Sequence, residues 1–585
     1  MSLSKQTKLF VMALLVSSGV FFQSVAAQQA DESLAVTPPQ VAQIDSQIVE
    51  VWDQFQLTPS NEATDGEWCR RLFLDLIGRI PTVSEVRSFV ADRSPDKRAA
   101  LVDRLLHDEE YVEDFARNWT THWTNLLLGR TGGTDDGDLA NRAGMQKYLR
   151  DSFAREKRYD RLVYELITAE GDTVPGSEEF NGAVNFLVNK LDENAAQATA
   201  KTSQLFLGMQ VQCTQCHNHP FNEWKQNQFW EMNAFFRQTR ALRRFEEGTN
   251  DIRFAKLINQ DFGGEGATPE NAEIYYEQRN GLLKSAYPVF VDGAKIDSQS
   301  GFVSDVNRRG ELAKMVLKSE YLSLAAVNRM WGHFLGYGFT KPVDDMGPHN
   351  DASHPQLLAY LAAEFRNSEY DLKSLIKWIV LSRPYALSSR SNSSNVSDDP
   401  QLGVPPKFSK FYLRQMRAEE LYESLLVATR AHETRGSYEE QEALKARWLR
   451  QFNIAFGTDE GDDTTTFNGS IPQVLMMFNG DMIKKATSSG TGSFLSKIAA
   501  NEKVKPAKKV EYLYMAALAR KPTQNELRVA NKLLAFRASD YQNKDKKGGN
   551  RRRPRMSKGG VEPTTAALQD IWWVLLNSNE FIMNH

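Results

Sequence analysis

Cysteine is scarce in this chain of 585 residues, which contains three cysteines in all. So low a count excludes the disulfide scaffold that stabilises many small exported proteins. One cysteine, Cys69, lies in the segment WCRRLFLDL, whose apolar residues recur at helical spacing. This pattern predicts a buried thiol without a chemical role. The other two, Cys213 and Cys216, are three residues apart.

Motifs of several common enzyme classes are also missing. The chain has neither a Gly-rich phosphate-binding loop nor a G-x-S-x-G motif, so a nucleotide-dependent enzyme and a serine hydrolase lack support. The net charge of −3 argues against nucleic acid as a partner. Beyond residue 27 no stretch is apolar enough to cross a membrane, so we expect no transmembrane span in the mature chain.

Strand patterns are few, whereas helix patterns recur along the whole chain. The best strand candidate, YPVFVDG at residues 287–293, is short. By contrast, residues 353–385 contain two runs of apolar residues at helical spacing, separated by a polar turn near Ser368. We predict a mainly α-helical, two-domain protein with few short strands and long loops.

The first 27 residues have the order of a secretory signal. Lys5 and Lys8 precede an apolar run at residues 9–22, and the small residues Ala26 and Ala27 follow it. An uncleaved anchor is the alternative, because the run is close to the shortest length that spans a bilayer, about 17 residues. We expect cleavage after Ala27 and export to the periplasm or the cell surface.

The length exceeds what one hydrophobic core usually organises, so more than one domain is expected. Periodicity is lost after residue 243, where glycine and acidic residues accumulate. Lysine, arginine and glycine crowd residues 543–563, which predicts a basic disordered loop. The predicted order is a signal peptide at 1–27, a linker at 28–45, a first domain at 46–243, a linker or insertion at 244–300, and a second domain at 301–585.

Two segments near opposite ends of the chain share one pattern. LFLDLIGRIPTVSEV from residue 72 and LYMAALARKPTQNEL from residue 513 each contain an apolar helix, an arginine, a Pro-Thr pair and a glutamate. The threonine and the glutamate can close a capping box at the start of a second helix. We predict a similar helix–turn–helix unit at both places, by duplication or by shared capping physics.

The Cys-x-x-Cys-His element at residues 213–217 is the sharpest chemical signal. With 3 Cys and 9 His in 585 residues, the motif arises by chance on the order of 10⁻⁴ times per chain. Two thiols on one side of a helical turn can bond to the vinyl groups of a porphyrin, and the adjacent histidine can bind its iron. We predict one covalent c-type haem, with Cys213 and Cys216 as thioether anchors and His217 as the axial iron ligand.

Three other interpretations of these residues stay open. Cys213 and Cys216 could form a redox disulfide, although such sites usually follow a strand and a helix pattern precedes this one. A zinc ion could recruit both cysteines with His217 and His219, although structural zinc sites normally use two separated pairs of ligands. The cysteines could also serve only to staple a turn.

The ligand on the opposite face of the iron is not determined by the sequence. Candidates are Met209, His219, Met232, Met330, His333, Met346, His349 and His354. Some of these lie in the segment VNRMWGHFLGYGFTKPVDDMGPHNDASHP, where paired carboxylates near histidines could instead support acid–base catalysis or bind a metal. The aromatic residues at 220–236 could shield a haem from water or form ordinary core.

Several of these segments resemble a known pair of bacterial domains. CTQCHNHPFNEWKQNQFW and LFLDLIGRIPT resemble the planctomycete cytochrome-c-like domain of unknown function 1549. VNRMWGHFLGYGFTKPVDDMG, SHPQLLAYLAAEF and DIWWVLLNSNEFIMNH resemble its usual partner, domain of unknown function 1553. The resemblance implies a large, exported, mostly helical protein, and it implies no reaction. Relatives often carry a further cytochrome-c-like module, which this chain lacks, and an acidic residue where this chain has Asn218.

The leading hypothesis is an exported c-type haem protein with an electron-transfer or redox role and a redox partner protein. The alternative is a non-haem surface or periplasmic protein that binds or processes an extracellular polymer, with the cysteines as a structural or redox disulfide. Whether the protein is an enzyme is left open.

Overall fold

The computed structural model describes residues 38–135, 137–260, 273–296, 306–431, 438–456, 471–490, 492–547 and 562–585. The predicted signal peptide, the linker up to residue 37 and most of the predicted basic loop lie outside these residues. The described part of the chain is mainly α-helical with a few short strands, as predicted. No helix in the described ranges is both long enough and apolar enough to cross a membrane.

Helices dominate both halves of the chain. Those in the first half are α1 (Pro39–Gln54), α2 (Asp65–Ile77), α3 (Val83–Ala91), α4 (Lys97–His107), α5 (Glu109–Leu128), α6 (Arg142–Ala154), α7 (Tyr159–Thr168), α8 (Val184–Val188), α9 (Asp192–Thr202) and α10 (Gln226–Ala234). Those in the second half are α11 (Arg308–Lys318), α12 (Tyr321–Leu335), α13 (Pro355–Asn367), α14 (Leu372–Val380), α15 (Arg383–Ala386), α16 (Ala418–Thr429), α17 (Tyr438–Phe456), α18 (Ile471–Asn479), α19 (Asp481–Ala486), α20 (Phe494–Ala499), α21 (Pro506–Leu518), α22 (Gln524–Lys547), α23 (Pro563–Leu576) and α24 (Asn579–Ile582).

Within the described ranges, the strands form three small antiparallel sheets. They are β1 (Gly171–Asp172), β2 (Thr239–Phe245), β3 (Ile252–Asn259), β4 (Ile274–Glu277), β5 (Leu283–Ala286), β6 (Arg414–Gln415) and β7 (Met583–Asn584). Strand β3 lies between β1 and β2, β4 pairs with β5, and β6 pairs with β7. The region predicted as a linker or insertion at 244–300 therefore holds β3, β4 and β5, and β3 is tied to the first domain through β1.

The predicted strand at residues 287–293 is wrong. The strand lies just before it, at Leu283–Ala286, and Val289 makes only an isolated bridge with Lys295. Pro288 has no N–H to donate to a ladder, so regular pairing ends where the proline enters.

The repeated helix–turn–helix pattern is confirmed. Thr82 and Glu85 form a capping box at the start of α3, and Glu85 also pairs with Arg79 through both oxygens, at 3.1 and 3.2 Å. At the start of α22, Thr523 and Glu526 exchange the same two backbone–side-chain hydrogen bonds.

The second unit also repeats the arginine contact, and the two units touch. Arg520 reaches both oxygens of Glu526 at 2.8 and 2.9 Å, as Arg79 does with Glu85. Val86 of the first unit packs in one small cluster with Met515 and Ala519 of the second. Just before the first unit, where α2 meets the end of α21, a Cβ added to Gly66 would lie 2.2 Å from the carbonyl oxygen of Ala519. Only glycine allows this backbone approach.

Two large hydrophobic cores organise the described residues. The first contains side chains from residue 44 to residue 412, so it draws on both predicted domains. The second contains side chains from 416 to 582 together with Leu74 and Ile80 of the first domain. In the described part of the chain, the change from the first core to the second falls near residue 415.

A buried polar cluster lies where the two cores meet. The carboxylate of Asp75 on α2 accepts hydrogen bonds from the hydroxyl of Tyr385, at 2.7 Å, and from the amide of Asn584, at 2.7 Å. It also forms a close ion pair with Arg414. All four residues are buried, so this cluster joins α2 to the segments that border both cores.

Candidate functional site

The cysteine motif follows an irregular end of a helix. Helix α9 continues without a break into a π-helical segment, Ser203–Leu207, which ends at Gly208 in the left-handed conformation with φ 68°. A short 3₁₀ turn, Gln212–Gln215, then carries Cys213 and delivers the chain to Cys216. π-Helical segments occur frequently beside functional sites, because they displace side chains from the regular helix positions.

The two thiols of the motif face solvent. Cys213 and Cys216 are both exposed and neither is part of a disulfide. Thr214, which lies between them, is buried, and its hydroxyl donates to the carbonyl oxygen of Val211 at 2.5 Å. The turn is thus anchored by Thr214 while both sulfur atoms remain accessible to a partner.

Gln215, the next residue of the turn, is held by hydrogen bonds from a neighbouring helix. The carbonyl oxygen of Gln215 accepts from the indole N–H of Trp230, at 3.1 Å, and from the amide of Gln226, at 3.2 Å. Both donors belong to α10, so this helix holds the backbone of the motif in place.

His217 has the proton arrangement that an axial ligand needs. Its Nδ1 lies 2.7 Å from the carbonyl oxygen of Asn218, and a carbonyl oxygen can only accept, so Nδ1 carries the proton. In the neutral form of the ring the lone pair is then on Nε2, which has no hydrogen-bond partner within the described ranges. Metal-binding histidines commonly donate their second nitrogen to a backbone carbonyl in this way.

His219 has the opposite arrangement. Its Nδ1 accepts the backbone N–H of Phe221 at 3.3 Å and that of Asn222 at 3.1 Å, so the proton of the neutral ring is on Nε2. His219 therefore caps the turn after the motif and has no free lone pair to offer a metal.

A tetrahedral zinc site is not assembled around the motif. Across the part of the chain that the structure describes, no three or more His, Cys, Asp or Glu side chains are grouped to hold a metal ion. The lone pair of His219 is used by backbone N–H groups, which leaves the predicted zinc set one ligand short.

The second predicted domain contributes a loop that contacts the motif segment. Asp344 is buried, and its two carboxylate oxygens accept from the amides of Gln204, at 2.6 Å, and Gln210, at 2.8 Å. The backbone N–H of Met346 donates to the carbonyl oxygen of Gly208 at 2.7 Å. The structure thus brings the segment before the motif into contact with the segment that contains the candidate ligands Met346 and His349.

Asn328 on α12 shapes the start of that loop. Its buried amide donates to the hydroxyl of Thr340 and to the carbonyl of Val343, both at 2.8 Å, and its oxygen accepts from the N–H of Phe339 at 2.6 Å. The loop therefore reaches Asp344 in a fixed conformation.

Asp345 and His349 form the accessible end of the same loop. His349 Nε2 lies 2.9 Å from a carboxylate oxygen of Asp345, and the His349 ring centroid lies 6.5 Å from that of His219. Among the other predicted iron ligands, Met209, Met232, Met330 and His354 are buried, and His333 packs against His122.

The aromatic residues that follow the motif have divided roles. Phe229, Phe235 and Phe236 are buried in the first core. Phe221 is 86% exposed and lies beside His219, with ring centroids 6.3 Å apart. Most of the aromatic stretch is therefore ordinary core, and Phe221 alone among these four provides an exposed apolar surface near the thiols.

Gln204 and Gln210 are site residues that the sequence analysis missed. Glutamine has no titratable group and matches no ligand motif, so nothing in the sequence distinguished these two from the other glutamines around the cysteines. Their role depends on Asp344, which is more than 130 positions away.

Replacing Gly208 with alanine should destabilise the segment that precedes the motif. Gly208 has a left-handed φ of 68°, which strains a residue that carries a Cβ. The new Cβ would lie 2.5 Å from the Met346 Cε, and this methyl group is the flexible end of a side chain that can move at little cost. We expect the free energy of unfolding to fall by about 1–2 kcal/mol because of the backbone strain, and urea denaturation measures the change. Gly490→Ala, at an exposed glycine without a left-handed φ, is the control and should change it by less than about 0.5 kcal/mol. Equal losses in the two variants would contradict the strain at Gly208.

Two family models match the chain. The model PSCyt2, described as "Protein of unknown function (DUF1549)", matches residues 43–241. The model PSD1, described as "Protein of unknown function (DUF1553)", matches residues 308–534. Neither a curated protein nor a solved structure gives a significant match. The cysteine motif lies in the first matched region and the Asp344–His349 loop lies in the second. Both matched regions therefore contribute residues to the candidate site.

Proposed function

Because this chain belongs to the family in which a DUF1549 domain precedes a DUF1553 domain, and neither domain has an assigned reaction, we propose a function from the site itself. The chain binds one c-type haem, with Cys213 and Cys216 as thioether anchors and His217 as the axial ligand. A haem held there would supply one-electron transfer at its iron. The protein would then exchange electrons with a redox partner protein after export.

The observation that carries this proposal is the state of the three motif residues. Both thiols are unpaired and exposed, and the His217 ring keeps its lone pair on Nε2 through the bond from Nδ1–H to Asn218. A covalently attached porphyrin needs two free thiols and one such nitrogen. The exposed ring of Phe221 adds apolar surface for an apolar cofactor.

Other residues have supporting roles that do not depend on touching the cofactor. Thr214 and Gln215 hold the turn, and Asp344 holds the segment before it through Gln204 and Gln210. Such supporting contacts reduce the freedom of a site and so help to set its geometry.

A reversible Cys213–Cys216 disulfide is the second candidate function. The free, exposed thiols three residues apart favour it. The segment before them is π-helical, however, whereas thioredoxin-like sites follow a strand. The alternative of a polymer-processing site has less support, because His354 is buried, the His333 ring packs against His122, and Asp344 is committed to two glutamines.

Expression with a cytochrome c maturation system tests the proposal. We expect the wild-type protein to retain haem on a denaturing gel and the Cys213→Ala/Cys216→Ala variant to lose it completely, because no thioether can form. His219→Gln is the matched control and should keep its haem, since His219 only caps the turn. Wild-type protein without covalent haem, in cells that mature another c-type cytochrome, would overturn the proposal. A thiol titration of that protein would then identify the disulfide.

A further inference from the structure

A large cavity lies in the part of the molecule that is built around the second core. Its volume is about 500 Å³ and none of its lining residues belongs to the cysteine motif or to the Asp344–His349 loop. Residues from α3, α19, α20 and α21 line it, so it lies beside the contact between the two repeated units. This volume is within the usual range of small-molecule sites, about 300–1,000 Å³.

Positive charge dominates the lining of this cavity. Its cationic residues are Arg87, Arg430, Lys485, Lys497, Lys508 and Lys509. Glu511 is the one carboxylate among the described lining residues, and it pairs with Lys508 at 2.7 Å. Concentrated positive charge inside a concave, low-dielectric surface attracts anions more strongly than the same charges spread over a flat surface.

Lys509 is a buried charge within this lining. The residue is 6% exposed, and its ammonium group donates to the carbonyl oxygen of Ala499 at 2.6 Å. An ammonium group has three N–H donors, so this bond uses one of them. A buried cation is stabilised when an anion joins it.

The remaining walls are apolar and partly aromatic. The rings of Phe494 and Tyr512 lie 6.4 Å apart, and Ile498 and Val504 complete this side. The Arg87 guanidinium lies 5.7 Å from the centroid of the Tyr512 ring. The cavity thus combines apolar surface for the body of a ligand with cations for its substituents.

We propose that this cavity binds a small organic anion: a ring compound, such as a sugar, that carries at least two sulfate or phosphate groups. Because the lining has several separate cations, it suits a ligand with several anionic groups better than a ligand with a single carboxylate. The apolar wall matches a ring face. The overall charge of −3 is no obstacle, because the field that a small ligand experiences is set by the local lining.

Calorimetric titration of the full mature chain tests this site with three probes. They are a trisulfated disaccharide, fructose 1,6-bisphosphate and the same disaccharide without sulfate. We expect one or both anionic probes to bind and the neutral probe not to bind. The anionic affinity should fall by about 10-fold between 0.02 and 0.2 M NaCl, because salt screens the attraction. The anionic probe that binds more tightly distinguishes a sulfated ligand from a phosphorylated one.

Charge reversal locates the binding. Arg87 and Lys497 are exposed lining residues, so Arg87→Glu/Lys497→Glu should fold normally and lose at least about 10-fold in affinity. Lys532→Glu, an exposed residue of α22 outside the lining, is the matched control and should bind like wild type. Equal binding of the neutral probe, no binding of either anion, or unchanged affinity in the double variant would overturn the proposal. The Cys213→Ala/Cys216→Ala variant should bind normally, so the outcome is independent of haem.

Discussion

Replacing Asp75 with alanine is expected to lower the free energy of unfolding by about 3–5 kcal/mol. The change leaves Arg414 buried without its carboxylate, and it removes the acceptor of the Tyr385 hydroxyl and the Asn584 amide. Removing one member of a buried ion pair costs much more than the pair contributes by itself, because the remaining charge stays out of water. Urea denaturation followed by tryptophan fluorescence measures the loss.

The matched control for this prediction is an exposed ion pair. Lys147 and Asp151 lie one turn apart on α6 at 3.2 Å, and both side chains are about half exposed. Asp151→Ala should therefore change the free energy of unfolding by no more than about 0.5 kcal/mol. A loss of less than about 1 kcal/mol in Asp75→Ala would mean that the buried cluster does not hold the two cores together.

Acid should destabilise the protein through a half-buried pair of histidines. His122 on α5 and His333 on α12 pack against each other with ring centroids 4.7 Å apart, between a helix of the first predicted domain and a helix of the second. Burial lowers the pKa of both rings well below the usual value for histidine. Nearby cationic groups lower them further, and the groups that face the pair are Arg329, Arg414, Arg417 and the backbone carbonyl of Asp75.

The sign of the pH effect follows from these lowered pKa values. Both histidines are neutral in the folded protein, whereas the unfolded chain takes up protons below about pH 6.5. Stability is therefore fully present above that pH and is lost as the pH falls below it. Each histidine contributes a slope of up to about 1.4 kcal/mol per pH unit, so the pair contributes up to about 2.7.

Urea denaturation at pH 7.5, 6.5, 5.5 and 4.5 checks this expectation. The free energy of unfolding of the His122→Gln/His333→Gln variant should depend on pH less steeply than that of the wild type. Part of the slope should remain, because burial also lowers the pKa of His354, to about 4. His107→Gln, at a histidine whose side chain is 50% exposed, serves as the control substitution. Parallel pH profiles of the wild type and the double variant would contradict a role for the pair.

Local features of this fold were predictable because they depend on residues close together in the sequence. The helices at Pro355–Asn367 and Leu372–Val380 follow from their apolar spacing, and the capping box at Thr82 follows from a threonine and a glutamate three residues apart. The strand predicted at residues 287–293 does not form, also for a local reason, because Pro288 has no N–H to donate to a ladder.

The division of the cores and the surroundings of the cysteine motif depend on distant contacts. Asp344 meets Gln204 across 140 positions, and His122 meets His333 across a still longer separation. No periodicity encodes such pairs. The motif residues themselves, Cys213, Cys216 and His217, were identified from the sequence, whereas the opposite proton positions of His217 and His219 required coordinates.

The most direct test of the proposed function is the mass of the peptide that contains residues 213–217. The protein should be made with a cytochrome c maturation system, digested and analysed by mass spectrometry. We predict a peptide heavier by one haem, with neither Cys213 nor Cys216 open to alkylation and Cys69 alkylated after unfolding. The same peptide without haem, with free thiols or a Cys213–Cys216 disulfide, would contradict the proposal if a control cytochrome from the same cells carries its haem.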